Sequence, residues 1–205
     1  MPENKPQVKR AGTKDKILKA SSALFSEFGY KGTSVRKIAS EVGIRESAIY
    51  NHYKNKEEIF LEVAKDIFSS PFSLKSDEAK DLAAKGKPFL QKFATEYKLL
   101  SFDKNSESMF RLLLIELLQN KDLREQFISE FHNKNVKTLS EGFFIMMQDG
   151  LIRSSDPMIV SYEFLSTLFY IRFQMTIMKF DSLPTNNLTT QFEKHVDFFW
   201  ESIKS

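Results

Sequence analysis

The sequence predicts an all-α fold of two modules, a three-helix helix-turn-helix unit followed by a larger helical domain. Three observations carry this. Apolar residues recur at helical spacing from Thr13 onward, with no convincing period-2 run. Capping residues and single glycines punctuate residues 13–70 at short intervals. The Ser69-Ser70-Pro71 break then separates that stretch from an apolar-rich remainder, residues 71–205.

Residues 1–12 read as a flexible basic tail with Lys5, Lys9 and Arg10. A first helix is expected over about Thr13–Phe28, with Ile17, Leu24, Phe25 and Phe28 on one face and Gly29 to end it. A second, about Ser34–Val42, buries Val35, Ile38, Ala39 and Val42, with Thr33 or Ser34 as its cap. Gly43 makes the turn, and a third helix covers about Glu46–Tyr53, so the helix-turn-helix spans about 34–53. Asn55 caps a fourth, linking helix, with Glu58 three residues on as in a capping box. Further helices are expected at about Glu78–Ala84, Pro88–Phe102, Ser106–Gln119 and Asp122–Gln148. Asp156-Pro157 starts another that reaches Phe180, and the last covers about Leu188–Ile203.

Composition narrows the function classes. With 41% hydrophobic and 28% charged residues the chain reads as an ordinary soluble globular protein. It has no cysteine, which excludes disulfides, thiol nucleophiles and thiolate metal sites and fits a reducing cytosol. The N-terminus has no apolar run of a signal peptide. Pro157 to Met178 is apolar enough to raise a membrane span, but Glu163, Arg172 and Gln174 interrupt it, so a buried helix and no membrane partner are expected. No glycine-rich phosphate loop, HExxH or GxSxG motif is present, so neither an enzyme nor a cofactor is expected. His52 has no second ligand at helical spacing, so no metal is expected. Residues 1–70 carry 13 basic and 9 acidic residues, a net of +4; residues 71–205 carry 17 and 18, a net of −1. The basic excess lies with the helix-turn-helix, where a phosphate backbone would draw it.

The segment Ile17 to Phe60 resembles the DNA-binding domain of TetR-type (TetR/AcrR) transcriptional regulators. The matching residues are Ala23-Leu24-Phe25, Gly29-Tyr30, Gly32-Thr33, Ile38-Ala39, Val42-Gly43-Ile44, Ile49-Tyr50, His52-Tyr53-Lys54 and Lys56-Glu57-Glu58-Ile59-Phe60. They cover about a quarter of the chain without a gap.

A recognition helix presents its N-terminal residues to base edges in the major groove. Here those are Arg45, Glu46, Ser47 and Ala48, with Asn51 a turn on. Arginine can pair with guanine O6 and N7, asparagine with adenine N6 and N7, glutamate with cytosine N4, and an alanine methyl with thymine. The resemblance adds Arg36 on the second helix. Phosphate contacts are expected from Thr33, Ser34, Tyr50, His52, Tyr53 and Lys56. Tyr50 suits packing as well as a phosphate, and Tyr53 suits the small core as well as the backbone.

In the larger domain, the helix from Asp156 to Phe180 is apolar nearly all round and needs cover on two sides. The family resemblance implies that it and the last helix form a homodimer seam, for which Leu165, Leu168, Phe192, Val196, Phe199 and Trp200 are the candidates. The resemblance also implies a cavity for a small apolar or amphipathic effector. Its candidates are Phe93, Tyr97, Phe110, Leu114, Phe144, Met147, Phe169 and Phe173, although the same pattern describes plain core. Polar orienting groups come from Glu116, Arg111, Arg172 or Gln174, among which the sequence does not select. The resemblance thus implies a ligand-responsive repressor in a bacterial-type cytosol or nucleoid, binding a palindromic operator in double-stranded DNA as a homodimer.

Overall fold

The computed structural model describes residues 12–68 and 77–205. The expected basic tail and the Ser69-Ser70-Pro71 break lie outside the described residues. Among those described, every regular element is helical, with one isolated bridge between Ile152 and Lys204. The chain divides into two compact units, one up to Ala64 and one from Lys65 onward.

In the first unit, α1 (Thr13–Gly32) breaks at Gly29, whose φ of 71° is non-helical, and resumes for one turn. α2 (Val35–Val42) is capped by Ser34, which accepts a hydrogen bond from the Lys37 amide. α3 (Glu46–Tyr50) is shorter than expected. The amides of His52 and Tyr53 both fold back onto the Ile49 carbonyl, which turns the chain out of the helix. α4 (Lys56–Phe68) follows, with Asn55 Oδ1 accepting from the Glu58 amide. The returning half of that cap is displaced by one residue, since the Glu58 carboxylate accepts from the Lys54 amide. Ile17, Phe25, Ile38, Ile49, Tyr53, Ile59 and Phe60 close the small core. Phe25 meets Phe60 edge-on at 5.2 Å, and Tyr30 leans on Phe60 at 4.8 Å. Phe28, expected on the buried face, is instead exposed under the Lys37 ammonium.

The second unit holds α5 (Asp77–Ala83), α6 (Lys87–Phe102), α7 (Lys104–Leu117) and α8 (Lys121–Gln126). A π-helical segment, Phe127–Asn133, joins α8 to α9 (Lys134–Gln148). It interrupts what the sequence predicts as one helix. α10 (Pro157–Phe180) and α11 (Gln191–Ile203) complete the unit. Caps explain the starts: Asp103 accepts from the Ser106 amide, Asn120 from Leu123, and Asp156 from Met158 ahead of α10 with Pro157 in its first turn. Gly86 enters α6 at φ 74°, and a side chain there would also strike the Trp200 indole, 2.6 Å from an ideal Cβ.

α10 packs along α9 and α6, and α11 along α6. Phe164 is the hub of this core, with Phe93, Phe143, Phe199 and the His195 ring all within 6.2 Å of its centroid. No helix among the described residues is long and apolar enough to cross a membrane.

Candidate nucleic-acid interface and effector cleft

The turn between α2 and α3 is built by backbone geometry. Gly43 sits at φ 75°, ψ 34°, the left-handed region that costs a side chain. Its amide bonds to the Ser40 carbonyl and the Ile44 amide to the Ala39 carbonyl, closing α2. That turn and the buried Ile38, Ala39 and Ile49 fix α3 on the small core.

The outward side of this scaffold carries the expected readers. Arg45, Glu46 and Ser47 are exposed at the start of α3, Ala48 is half-buried, and Asn51 and His52 are exposed just beyond it. Arg36 is exposed in the first turn of α2, next to exposed Ser34. None of the side chains of Arg36, Arg45, Glu46, Asn51 and His52 hydrogen-bonds or ion-pairs within the described residues. Solvated polar groups lose nothing by waiting unpaired, and these place donors and acceptors on the exposed side of α2 and α3. Tyr50 is 53% exposed, so its ring lies on this surface rather than in the core.

Three of the expected phosphate contacts are placed differently. Thr33 is buried, its hydroxyl donating to the carbonyls of Leu24 (3.1 Å) and Gly29 (2.9 Å). It locks the α1 break to the start of α2. Tyr53 is buried, because the early end of α3 swings its ring inward. Lys56 is half-buried, and its ammonium donates to the carbonyls of Tyr30 (2.7 Å) and Thr33 (2.9 Å) and lies 4.1 Å from the Tyr30 ring centre. In this structure it ties α4 to the α1–α2 connection. Lys37, not singled out from the sequence, ties the same connection through the Gly32 carbonyl at 2.8 Å.

In the C-terminal unit the expected seam and cavity are rearranged. Leu165, Leu168, Phe192, Val196 and Phe199 are buried within their own chain, and Trp200 is half-buried over Gly86. The first five are core of this chain and so form no exposed seam, while Trp200 is partly exposed. The apolar face left outside is the next one round, with Tyr170 60% and Phe198 76% exposed across a cleft that Thr167 and Gln174 also line. A helix apolar all round gives no phase, which is why the sequence points to the wrong side.

Of the eight expected cavity residues, Phe144 is 55% exposed and leaves the set, since its neighbour Phe143 is the one turned inward. Phe93, Tyr97 and Phe110 are buried core; Leu114, Met147 and Phe173 are half-buried. Phe169 alone of the eight lines an apolar cleft of about 320 Å³, together with Leu117, Phe127, His132, Tyr162, Leu165 and Ser166. The π-helical segment supplies Phe127 and His132, the latter stacked on Tyr162 at 5.2 Å. Such segments often mark functional places. A run of helical spacing in sequence conceals them.

Comparison with known proteins agrees with this anatomy. Residues 17–63 match the family model of bacterial regulatory proteins of the tetR family. Over 56 residues the chain is 43% identical to the biofilm operon icaADBC negative transcriptional regulator IcaR of Staphylococcus epidermidis, covering 27% of this chain and 30% of that protein. A longer alignment, 26% identical, covers 73% of this chain and 76% of the transcriptional regulator YhgD of Bacillus subtilis. The chain spans 40% or less of the lengths of IcaR, of YerO of B. subtilis and of the repressor KstR2 of Mycolicibacterium smegmatis. Solved structures share the fold over nearly the whole chain. The regulator FadR of B. subtilis, in complex with stearoyl-CoA, superposes with a TM-score of 0.69 at 21% identity, covering 92% of this chain and 98% of that one. SmeT, repressor of the Stenotrophomonas maltophilia multidrug efflux pump SmeDEF, gives 0.65 at 16%, covering 95% and 91%. Residues 17–63 thus carry the helix-turn-helix domain of the tetR family of bacterial regulatory proteins.

Proposed function

We propose that the protein is a sequence-specific, ligand-responsive transcriptional repressor that binds a palindromic operator in double-stranded DNA as a homodimer. The observation that carries this is the set of exposed, unpartnered side chains at the start of α3, held on a rigid core behind the Gly43 turn. Arg45, Glu46, Ser47, Ala48 and Asn51 read bases, joined by Arg36 from α2. Ser34, Tyr50 and His52 meet phosphates, and the ties made by Lys56 and Thr33 hold the surface in shape. IcaR and KstR2 are named as a negative regulator and a repressor, which supports the direction of control.

Dimerisation places two copies of α3 on successive turns of the same DNA face, about 34–36 Å apart. The surface that suits it is the exposed Tyr170–Phe198 face of α10 and α11. An effector in the C-terminal unit then shifts the affinity for operator by the coupling free energy between the two sites. Ligand-bound relatives of the same fold, SmeT with triclosan and FadR with stearoyl-CoA, support such control.

The test is selection from a pool of random duplexes at near-physiological salt, with sequencing of the bound fraction. Enrichment of a palindrome with half-sites about one helical turn apart is the expected result. Binding that is uniform across sequences and lost with salt would reduce the protein to an electrostatic DNA binder.

A further inference from the structure

Arg172, in the middle of α10, is only 1% exposed. Its Nη2 donates to the Ser106 hydroxyl at 3.1 Å, while its Nε and Nη1 have no hydrogen-bond partner among the described residues. Its planar head lies 4.1 Å from the Phe110 ring centre and 5.7 Å from that of Tyr97. The Tyr97 phenol leans on the guanidinium as a polar neighbour, but burial pushes its pKa well above the ordinary value, so it stays neutral and supplies no full counter-charge. Glu107 attracts the guanidinium from a distance, but its buried Oε1 is itself without a hydrogen bond. A guanidinium is not relieved by losing its proton at ordinary pH. A buried cation with two donors unbonded and no carboxylate in ion-pair contact is costly, and an anion with two oxygens is what it lacks.

The surroundings say what the rest of that anion is. Phe110, under the guanidinium, packs edge-on against Phe169 at 5.9 Å. Phe169 lines the apolar cleft beside the π-helical segment and lies one helical turn before Arg172 on α10. Phe110 thus stands between the cleft residue Phe169 and the cation, touching both. At about 320 Å³ the cleft sits at the small end of ligand pockets, about 300–1,000 Å³.

We infer that the effector is a short amphipathic carboxylic acid, its apolar part in the cleft of Phe127, Tyr162 and Phe169 and its carboxylate on the Arg172 guanidinium. This rests on the reading of the C-terminal unit as an effector domain. Glu107 then acts as a brake, repelling the ligand carboxylate from beside its binding partner.

The test uses the full-length protein with decanoate and benzoate, each paired with its alcohol, decanol and benzyl alcohol, in calorimetric titrations. At least one acid is expected to bind about tenfold or more tightly than its alcohol. Arg172→Met removes that preference while leaving alcohol binding and operator binding in place. Glu107→Gln raises acid affinity. Acid and alcohol binding alike in the unaltered protein, no binding of any of the four, or a preference that survives Arg172→Met would each overturn the inference. The acid–alcohol comparison on the unaltered protein needs no variant to fold. Operator binding separates the two readings. An acid that binds but leaves operator affinity unchanged keeps the site and removes ligand control; operator binding with no acid preference removes only the site.

Discussion

Arg45 and Arg172 are two arginines without a salt bridge among the described residues, and their surroundings give that fact opposite meanings. Arg45 stands in water at the start of α3, where hydration satisfies its donors. Arg172 stands inside the C-terminal unit, where two of its donors have nothing to bond. An idle polar group on the surface costs no stability. In the interior it is a standing cost that a ligand removes. In the N-terminal unit the interior Thr33 and Lys56 are hydrogen-bonded, while Arg45 stands exposed.

The two units can be followed separately, because the single tryptophan, Trp200 in α11, reports the C-terminal one. The largest effect is expected at a paired group. Lys56→Met removes two charge-assisted hydrogen bonds and should destabilise the N-terminal unit by about 1.5–3 kcal/mol. Circular dichroism should register the loss while the Trp200 unfolding curve stays in place. Arg45→Ala should leave both unfolding transitions unchanged. It should weaken operator binding by about 1–3 kcal/mol relative to random DNA. Equal losses on the two DNAs would make Arg45 a phosphate contact.

Arg172→Met should leave the Trp200 transition where it was or move it upward by about 1 kcal/mol, since an apolar side chain replaces an uncompensated charge. A large loss of stability would show that the stacking on Phe110 outweighs the idle donors, and would dissolve the contrast with Arg45.

The smallest effect is a pH dependence. Burial holds the His195 pKa below its ordinary 6.5, partly countered by its hydrogen bond to the Phe164 carbonyl at 3.0 Å. The unfolded chain therefore takes up the proton first. Stability is complete above pH 6.5 and erodes as pH falls below it. His195→Gln should flatten that slope in the Trp200 transition.

How much of this the sequence discloses follows from how local each cause is. The helix-turn-helix is legible because its causes are local: a serine cap, a glycine that must take positive φ, and apolar residues three and four apart. The exposure of Arg45, Glu46 and Asn51 is legible for the same reason, since they are polar residues where the period leaves no core. Thr33, Tyr53 and Lys56 are set by tertiary neighbours, the first by two carbonyls of α1 and its break, the last by a loop 23 to 26 residues away. Nothing in their spacing reports that. α10 shows the other limit. With Leu165, Leu168, Tyr170 and Phe173 all apolar, its pattern cannot say which face is core, so buried residues read as a seam and Tyr170 and Phe198 go unnoticed. Phe143 and Phe144 are interchangeable in sequence, and only packing separates them. Arg172 is equally opaque beside Arg111, Glu116 and Gln174 until burial singles it out.

The most direct test of the central claim is duplex selection run side by side with the unaltered protein and Arg45→Ala. The account predicts a palindrome from the first and, from the second, the same palindrome with one symmetry-related base pair per half-site no longer specified. An identical motif from both, or no motif from the unaltered protein, would contradict the assignment of α3 as the reader.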